Sequence, residues 1–352
     1  MATRLAVQGL APRKVRGARL LPALAVAVAL VTLLSLCIGA FPMAPREILA
    51  ILVGAGSGDT AEAVLLSIRL PRVVLGLAGG AALAVAGAAI QGLFRNPLAD
   101  PGLIGVSAGA ALFAAAAIVL LPGAGALLGP AHAVWLLPLA AFAGGLAATL
   151  LVGAIARREG GVDTALLLLA GVAVNAVAGA GVGFLVFLSD ERELREVSFW
   201  MLGSLAGTGW DRLLPALPLL LLPALAMPFL ARSLNALLLG EADAFHLGFR
   251  VEPVKRAVVL LAALGTGATV ALTGMIGFIG LVAPHLARLV AGPDHRVLLP
   301  ASAMIGAGLL LLADLAARTI ALPAEMPIGV LTSALGGPFF IWLLRRRAGG
   351  AQ

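Results

Sequence analysis

Residues 72–93 read RVVLGLAGGAALAVAGAAIQGL. Between Arg72 and Gln91 every residue is apolar or glycine, and at 1.5 Å per residue the stretch covers about 33 Å, enough to cross a hydrocarbon core of about 30 Å as one helix. Its many small residues let helices approach closely in lipid, where no hydrophobic force draws them together. Working outward, apolar runs of similar length recur near 20–40, 102–121, 134–156, 164–188, 213–231, 256–274, 275–290, 297–317 and 327–344. These runs predict an all-α, polytopic membrane protein with ten transmembrane helices, in a single domain over residues 1–352. Composition agrees. Charged residues make up 12% and the mean hydropathy is +1.08, whereas a soluble domain carries about a quarter charged residues.

The basic residues fix an expected orientation. Residues 1–19 hold Arg4, Arg13, Lys14, Arg16 and Arg19 and no acid, which reads as a cytoplasmic tail. The apolar run behind it resembles a signal peptide, but Leu36 precedes Cys37, where a lipoprotein signal needs a small residue, and many spans follow. We read it as the first helix. Alternating the ten spans then places 17 of the 24 Lys and Arg inside, with both termini cytoplasmic. The +7 charge is scattered between apolar runs rather than gathered on one face, so no nucleic-acid partner is expected.

Shifted by 224 residues the chain partly repeats: Arg72-Val73 falls on Arg296-Val297, Leu75 on Leu299, Leu98 on Leu322, and Ile104-Gly105-Val106 on Ile328-Gly329-Val330. The topology puts Arg72 outside and Arg296 inside, so the halves would be inverted.

Several chemistries are excluded or weak. The two lysines, Lys14 and Lys255, follow Arg13 and Val254, so no Gly-Lys-Ser/Thr phosphate loop exists and any ATP must bind a separate subunit. Gly105-Val106-Ser107-Ala108-Gly109 has the spacing of a serine nucleophile elbow but opens an apolar helix rather than a strand-turn-helix. His132, His246, His285 and His295 lack the spacing of a metal site, and Cys37 is the sole cysteine. No metal or cofactor is expected.

Polar groups within spans are costly and so face a partner helix or a passage. Asn175 either lines a translocation path or hydrogen-bonds a neighbouring helix. Asp314 and Arg318, four residues apart, suit a local ion pair. The stretch 232–256, the longest inner loop, mixes apolar and charged residues at helical spacing and either docks on a soluble partner or lies among headgroups.

Spaced motifs then converge. Arg69-Leu-Pro-Arg72, Gln91 to Ser107, Trp200-Met-Leu-Gly203, Leu239-Gly240-Glu241, Gly277 to His285, Asp294-His-Arg296 and Glu325-Met-Pro-Ile-Gly329 together resemble the permeases of ATP-binding-cassette importers for iron-siderophores, hemin and cobalamin. The wording around Ala99 to Gly105 is closest to hemin members. The resemblance covers about residues 20–345 and implies a type II importer permease that is not itself an enzyme. It further implies a homodimer in the inner membrane, two ATPase subunits beneath it and a substrate-binding protein outside. By motif position Gly240, Glu241, Ala244, Leu247 and Gly248 would couple to the ATPases. Arg69, Arg72 and Arg318 would dock the binding protein, with Arg318 reaching outward. An ion-coupled secondary transporter is the rival reading; it would need acids in the spans, where Asp314 is nearly alone.

Overall fold

The computed structural model describes residues 13–56, 58, 60–121, 129–158 and 161–348; the first twelve residues of the expected tail lie outside them, as does the side chain of His132. The chain is almost wholly helical. In order it forms α1 (Arg13–Cys37), α2 (Pro45–Leu52), α3 (Thr60–Ala63), a π turn (Val64–Arg69), α4 (Leu70–Leu93), a 3-10 turn (Pro101–Ile104), α5 (Val106–Leu120) and α6 (Pro130–Ile155). A two-stranded ribbon, β1 (Arg157–Arg158) with β2 (Gly161–Val162), leads to α7 (Thr164–Leu188) and α8 (Glu191–Leu202). Then come α9 (Trp210–Ala226), a 3-10 turn (Met227–Leu230), α10 (Ala231–Leu237), α11 (Glu241–His246), α12 (Val251–Thr273), α13 (Ile279–Ala291), α14 (His295–Ile320) and α15 (Ile328–Ala348).

Among the described residues seven helices are long and apolar enough to cross a bilayer, and the shorter apolar α5, α13 and α15 complete the expected ten. Boundaries moved where hydropathy is blind. The first helix begins at Arg13, not near residue 20, because arginine and lysine are good helix formers. The stretch 232–256 is not a loop: α10 and α11 fill its first part and α12 already begins at Val251. At the junction expected near residue 275 the chain leaves the helix from Gly274 to Phe278, and Phe278 takes a left-handed φ of 67°. So α13 has 13 residues and reaches only about 20 Å.

The second span starts earlier than residue 72, and Pro71 explains how. It has no N–H, so the carbonyl of Ser67, four residues back, loses its α-helical partner. The backbone widens into a π turn in which Leu70 N–H reaches the Leu65 carbonyl. The freed Leu66 carbonyl accepts a 2.7 Å hydrogen bond from the Trp210 indole N–H.

Helix α4 is the buried axis, packed by α9, α12, α13 and α14. It touches two of them backbone to backbone: a methyl on Gly80 would strike the Gly306 carbonyl, and one on Gly87 that of Gly280. One apolar core surrounds its second half, with Ile90, Leu234, Val258 and Leu299, and another its first half, with Leu75, Leu205, Leu213 and Leu310. Arg72 at the start of α4 meets Asp314 near the end of α14, and Gly92 at its end adjoins His295 at the start of α14. The two helices are therefore antiparallel, as the inverted register requires. Between α7 and α9 the polar stretch folds as α8, started by a capping box in which Asp190 accepts from Glu193 N–H (2.7 Å) and Glu193 from Asp190 N–H (3.0 Å).

Candidate functional sites at the two ends

At the end of the bundle where α4 finishes, α11 is bracketed by two glycines with left-handed φ, Gly240 (132°) and Gly248 (85°). Leu247 N–H closes back on the Asp243 carbonyl, Gly248 N–H on Phe245 and Phe249 N–H on Ala244, so the helix ends in a tight turn. Ala244 is fully buried, whereas Phe245 and Leu247 are 69% and 60% exposed. The short helix and its C-cap thus present two apolar side chains outward on a buried alanine base.

The five residues expected to couple fall together here, but Glu241 faces inward. Its carboxylate accepts from Thr164 Oγ1 (2.6 Å) and from Lys255 Nζ (2.9 Å). Lys255, 3% exposed, also pairs with Glu252 and donates to the Val162 carbonyl, while Glu252 accepts from Val162 N–H (2.7 Å). The ammonium therefore ties α11 to α12 and to the ribbon, with three donors going to three oxygens. Burial opposes the charge on Glu241, yet the hydrogen bonds from Lys255 and Thr164 outweigh it and hold the carboxyl below its usual range. Arg95, Arg158, Asp163 and Thr164 join these groups around an open cleft of about 450 Å³. Nearby, Asn235 on α10 bridges to Asp294 (2.7 Å) and to His295 N–H (2.9 Å) at the start of α14. Sequence reasoning passed over Lys255, Glu252 and Thr164. Only the Glu252–Lys255 pair, three residues apart, was readable from spacing.

At the opposite end Arg69, Arg72 and Arg318 lie together, 5%, 8% and 7% exposed. The π turn brings Arg69 under the end of α1, where it donates to the carbonyls of Leu36, Cys37 and Phe41. Leu36 and Cys37 end α1, where carbonyls lack intrahelical partners and a cation suits them, and Phe41 lies in the turn beyond. Arg72 donates through Nε to Asp314 (2.9 Å) and grips Glu325 bidentately (2.9 and 3.0 Å). The outward reach read for Arg318 is corrected: it donates to the carbonyl and the hydroxyl (2.8 Å) of Ser35, and its ion pair with Asp314 is a long 3.5 Å. Asp314 is fully buried among these cations, and Glu325 is the member that meets solvent.

The other candidates separate from both ends. Asn175 on α7 is half-buried and donates to the Gly102 carbonyl of the 3-10 turn (3.1 Å), a bond to a neighbouring segment that was one of the two outcomes open for it, while its Oδ1 stays unpaired. Ser107 sits in the first turn of α5 behind Gly105 (φ 87°), a helix start rather than a nucleophile elbow. Among the described residues no group of three His, Cys, Asp or Glu is placed to hold a metal.

Comparison with known proteins fits this arrangement. A model of the FecCD transport family matches residues 27–346. The Hemin transport system permease protein HmuU of Yersinia pestis is 46% identical over 330 residues, 94% of this chain and 97% of that protein. The Vitamin B12 import system permease protein BtuC of Salmonella typhi is 43% identical over 334 residues, 95% and 97%. A solved metal-chelate type ABC transporter in an inward-facing conformation superimposes with a TM-score of 0.80 at 31% identity, covering 93% of this chain and 98% of that one.

Proposed function

This chain belongs to the FecCD transport family and is an importer permease, and from that premise we propose that it carries hemin inward through the cell inner membrane. Both termini face the cytoplasm, residues 1–352 form one permease domain, and two copies enclose the pathway between them. Two ATPase subunits sit beneath and a substrate-binding protein docks outside. The observation that carries the coupling role is α11, whose exposed Phe245 and Leu247 project from a glycine-bracketed, charge-anchored base. ATPase closure pressing on α11 is transmitted through Glu241 and Lys255 to α12 and the ribbon, and the permease halves rock between outward and inward states.

The rival of ion-coupled transport loses its acid. Asp314, which would have to take up and release the coupling charge, is consumed by Arg72 and Arg318. Docking takes a changed form: Arg72 presents Glu325, and acids of the binding protein compete with Glu325 for the Arg72 guanidinium. Arg69→Glu with Arg72→Glu weakens docking in low salt; unchanged docking removes these arginines from that role. Asn175 lines the path beside the Gly102 turn.

Substrate is assigned on identity along nearly the whole chain to a permease named for hemin. The test is ATPase stimulation and uptake by the reconstituted complex with binding protein loaded with hemin, cobalamin or a ferric siderophore. Uptake of hemin alone is expected. Uptake of another chelate alone keeps the permease and replaces the cargo.

A further inference from the structure

A groove between α6 and α12 adjoins the Lys255 anchor at one end, but its apolar walls take no part in the cycle proposed above. It encloses about 220 Å³ and is walled by Leu146 and Leu150 of α6, Leu167 of α7, and Val259 and Leu260 of α12. Thr149, also in the wall, donates its hydroxyl to the Gly145 carbonyl (3.0 Å), so that polar group is already paired within α6. At Gly153 a methyl would meet nothing. The wall positions 146, 149, 150, 153 and 157 of the first helix, with its ribbon extension, and 256, 259 and 260 of the second follow helical three- and four-residue spacing. Each wall therefore ends at the same edge of the bilayer in an arginine, Arg157 or Arg256.

Both arginines are exposed, and among the described residues neither forms an ion pair. The third cation at this mouth, Lys255, is already used by Glu241, Glu252 and the Val162 carbonyl. An apolar slot at hydrocarbon depth thus ends in two uncompensated guanidiniums at the interface.

We propose that this groove binds one anionic phospholipid, an acyl chain lying along Gly153 and the phosphate held between Arg157 and Arg256. The guanidinium fork matches a phosphate bidentately. A net-negative lipid is preferred because a zwitterionic headgroup brings its own cation to the same two arginines. A soluble phosphate would satisfy the arginines but leave the aliphatic slot without purpose. The bound lipid touches Val162 and Lys255, the groups that anchor α11, and stiffens that base from the membrane side. The site stands independently of which chelate is carried.

The experiment is native mass spectrometry of the full-length chain, released from nanodiscs of phosphatidylglycerol and phosphatidylcholine with identical acyl chains. Retention of phosphatidylglycerol over phosphatidylcholine is expected. Arg157→Gln with Arg256→Gln lowers that preference on the order of tenfold or more, since each basic group near the surface contributes about 1 kcal/mol toward anionic lipid. Gly153→Phe keeps both arginines but fills the slot, and lowers retention as well. Arg232→Gln, an exposed arginine on α10, changes nothing. Equal retention of the two lipids overturns the proposal, as does indifference to either variant in monodisperse protein. Displacement of the lipid by glycerophosphate at equal concentration also overturns it, by reducing the site to a soluble-anion site.

Discussion

The two ends of the bundle bury cations in opposite ways. Around Arg69, Arg72 and Arg318, much of the compensation is backbone: carbonyls at the end of α1, with Asp314 as the one fully buried anion. Around Lys255 the compensation is carried by carboxylates, and one of them, Glu241, rides on a six-residue helix with exposed flanks. Carbonyls at a helix end cannot leave their cation without unwinding the helix. A carboxylate on α11 can leave by moving α11. The contrast assigns the arginine end to holding spans together and the lysine end to passing on a displacement, and it can be broken by measurement.

The largest effect is expected from Asp314→Asn. It leaves Arg72 and Arg318 buried with too little anion, and should cost about 3–5 kcal/mol, read as a fall in the thermal midpoint of detergent-purified permease. Lys255→Met should cost less, about 1.5–3 kcal/mol, because the stranded Glu241 is 42% exposed and water replaces the lost donor. Its main signature is ATPase activity no longer coupled to uptake. A larger stability loss from Lys255→Met than from Asp314→Asn would reverse the assignment. Trp210→Phe removes the hydrogen bond to the freed Leu66 carbonyl and should cost about 1 kcal/mol, seen as faster amide exchange over residues 64–69 and not over α11. The smallest effect is that of mild acid. The Glu241 carboxyl lies below its ordinary value of 4.5 in the folded chain, so its contribution is complete above that value and is lost as pH falls through the depressed one. Protection factors of residues 241–248, which divide out the intrinsic pH dependence of exchange, should therefore be flat from pH 7 to about pH 5 and fall only in stronger acid; a fall near neutrality would remove Glu241 as the anchor.

How much of this was legible follows from the range of each signal. All ten apolar runs were readable because each is a local property, and the topology read from them already set α4 and α14 antiparallel. Gly240 and Gly248 were marked by their motif, and their left-handed φ supplies a physical reason for glycine at both positions. Pro71 carried a usable signal for the π turn, but the span was started one residue beyond it. Tertiary pairings were out of reach. Arg318 and Asp314 are four residues apart and were paired by spacing, yet the shorter contacts of Arg318 are with Ser35 on α1. Nothing local marks Glu241 as the partner of Lys255, or Glu325 as that of Arg72. The motif marked the three arginines for docking but not their burial, because the carbonyls that receive Arg69 and Arg318 leave no trace in a pattern of side chains.

The pairing of Arg72 with Asp314 spans 242 positions. A ribosome adding about 5–20 residues per second needs roughly 10–50 s to supply the acid after the arginine has been made. For that interval the second span waits at the membrane with a cation whose counter-charge does not yet exist, so nascent chains stopped before α14 should be the form that quality-control proteases remove.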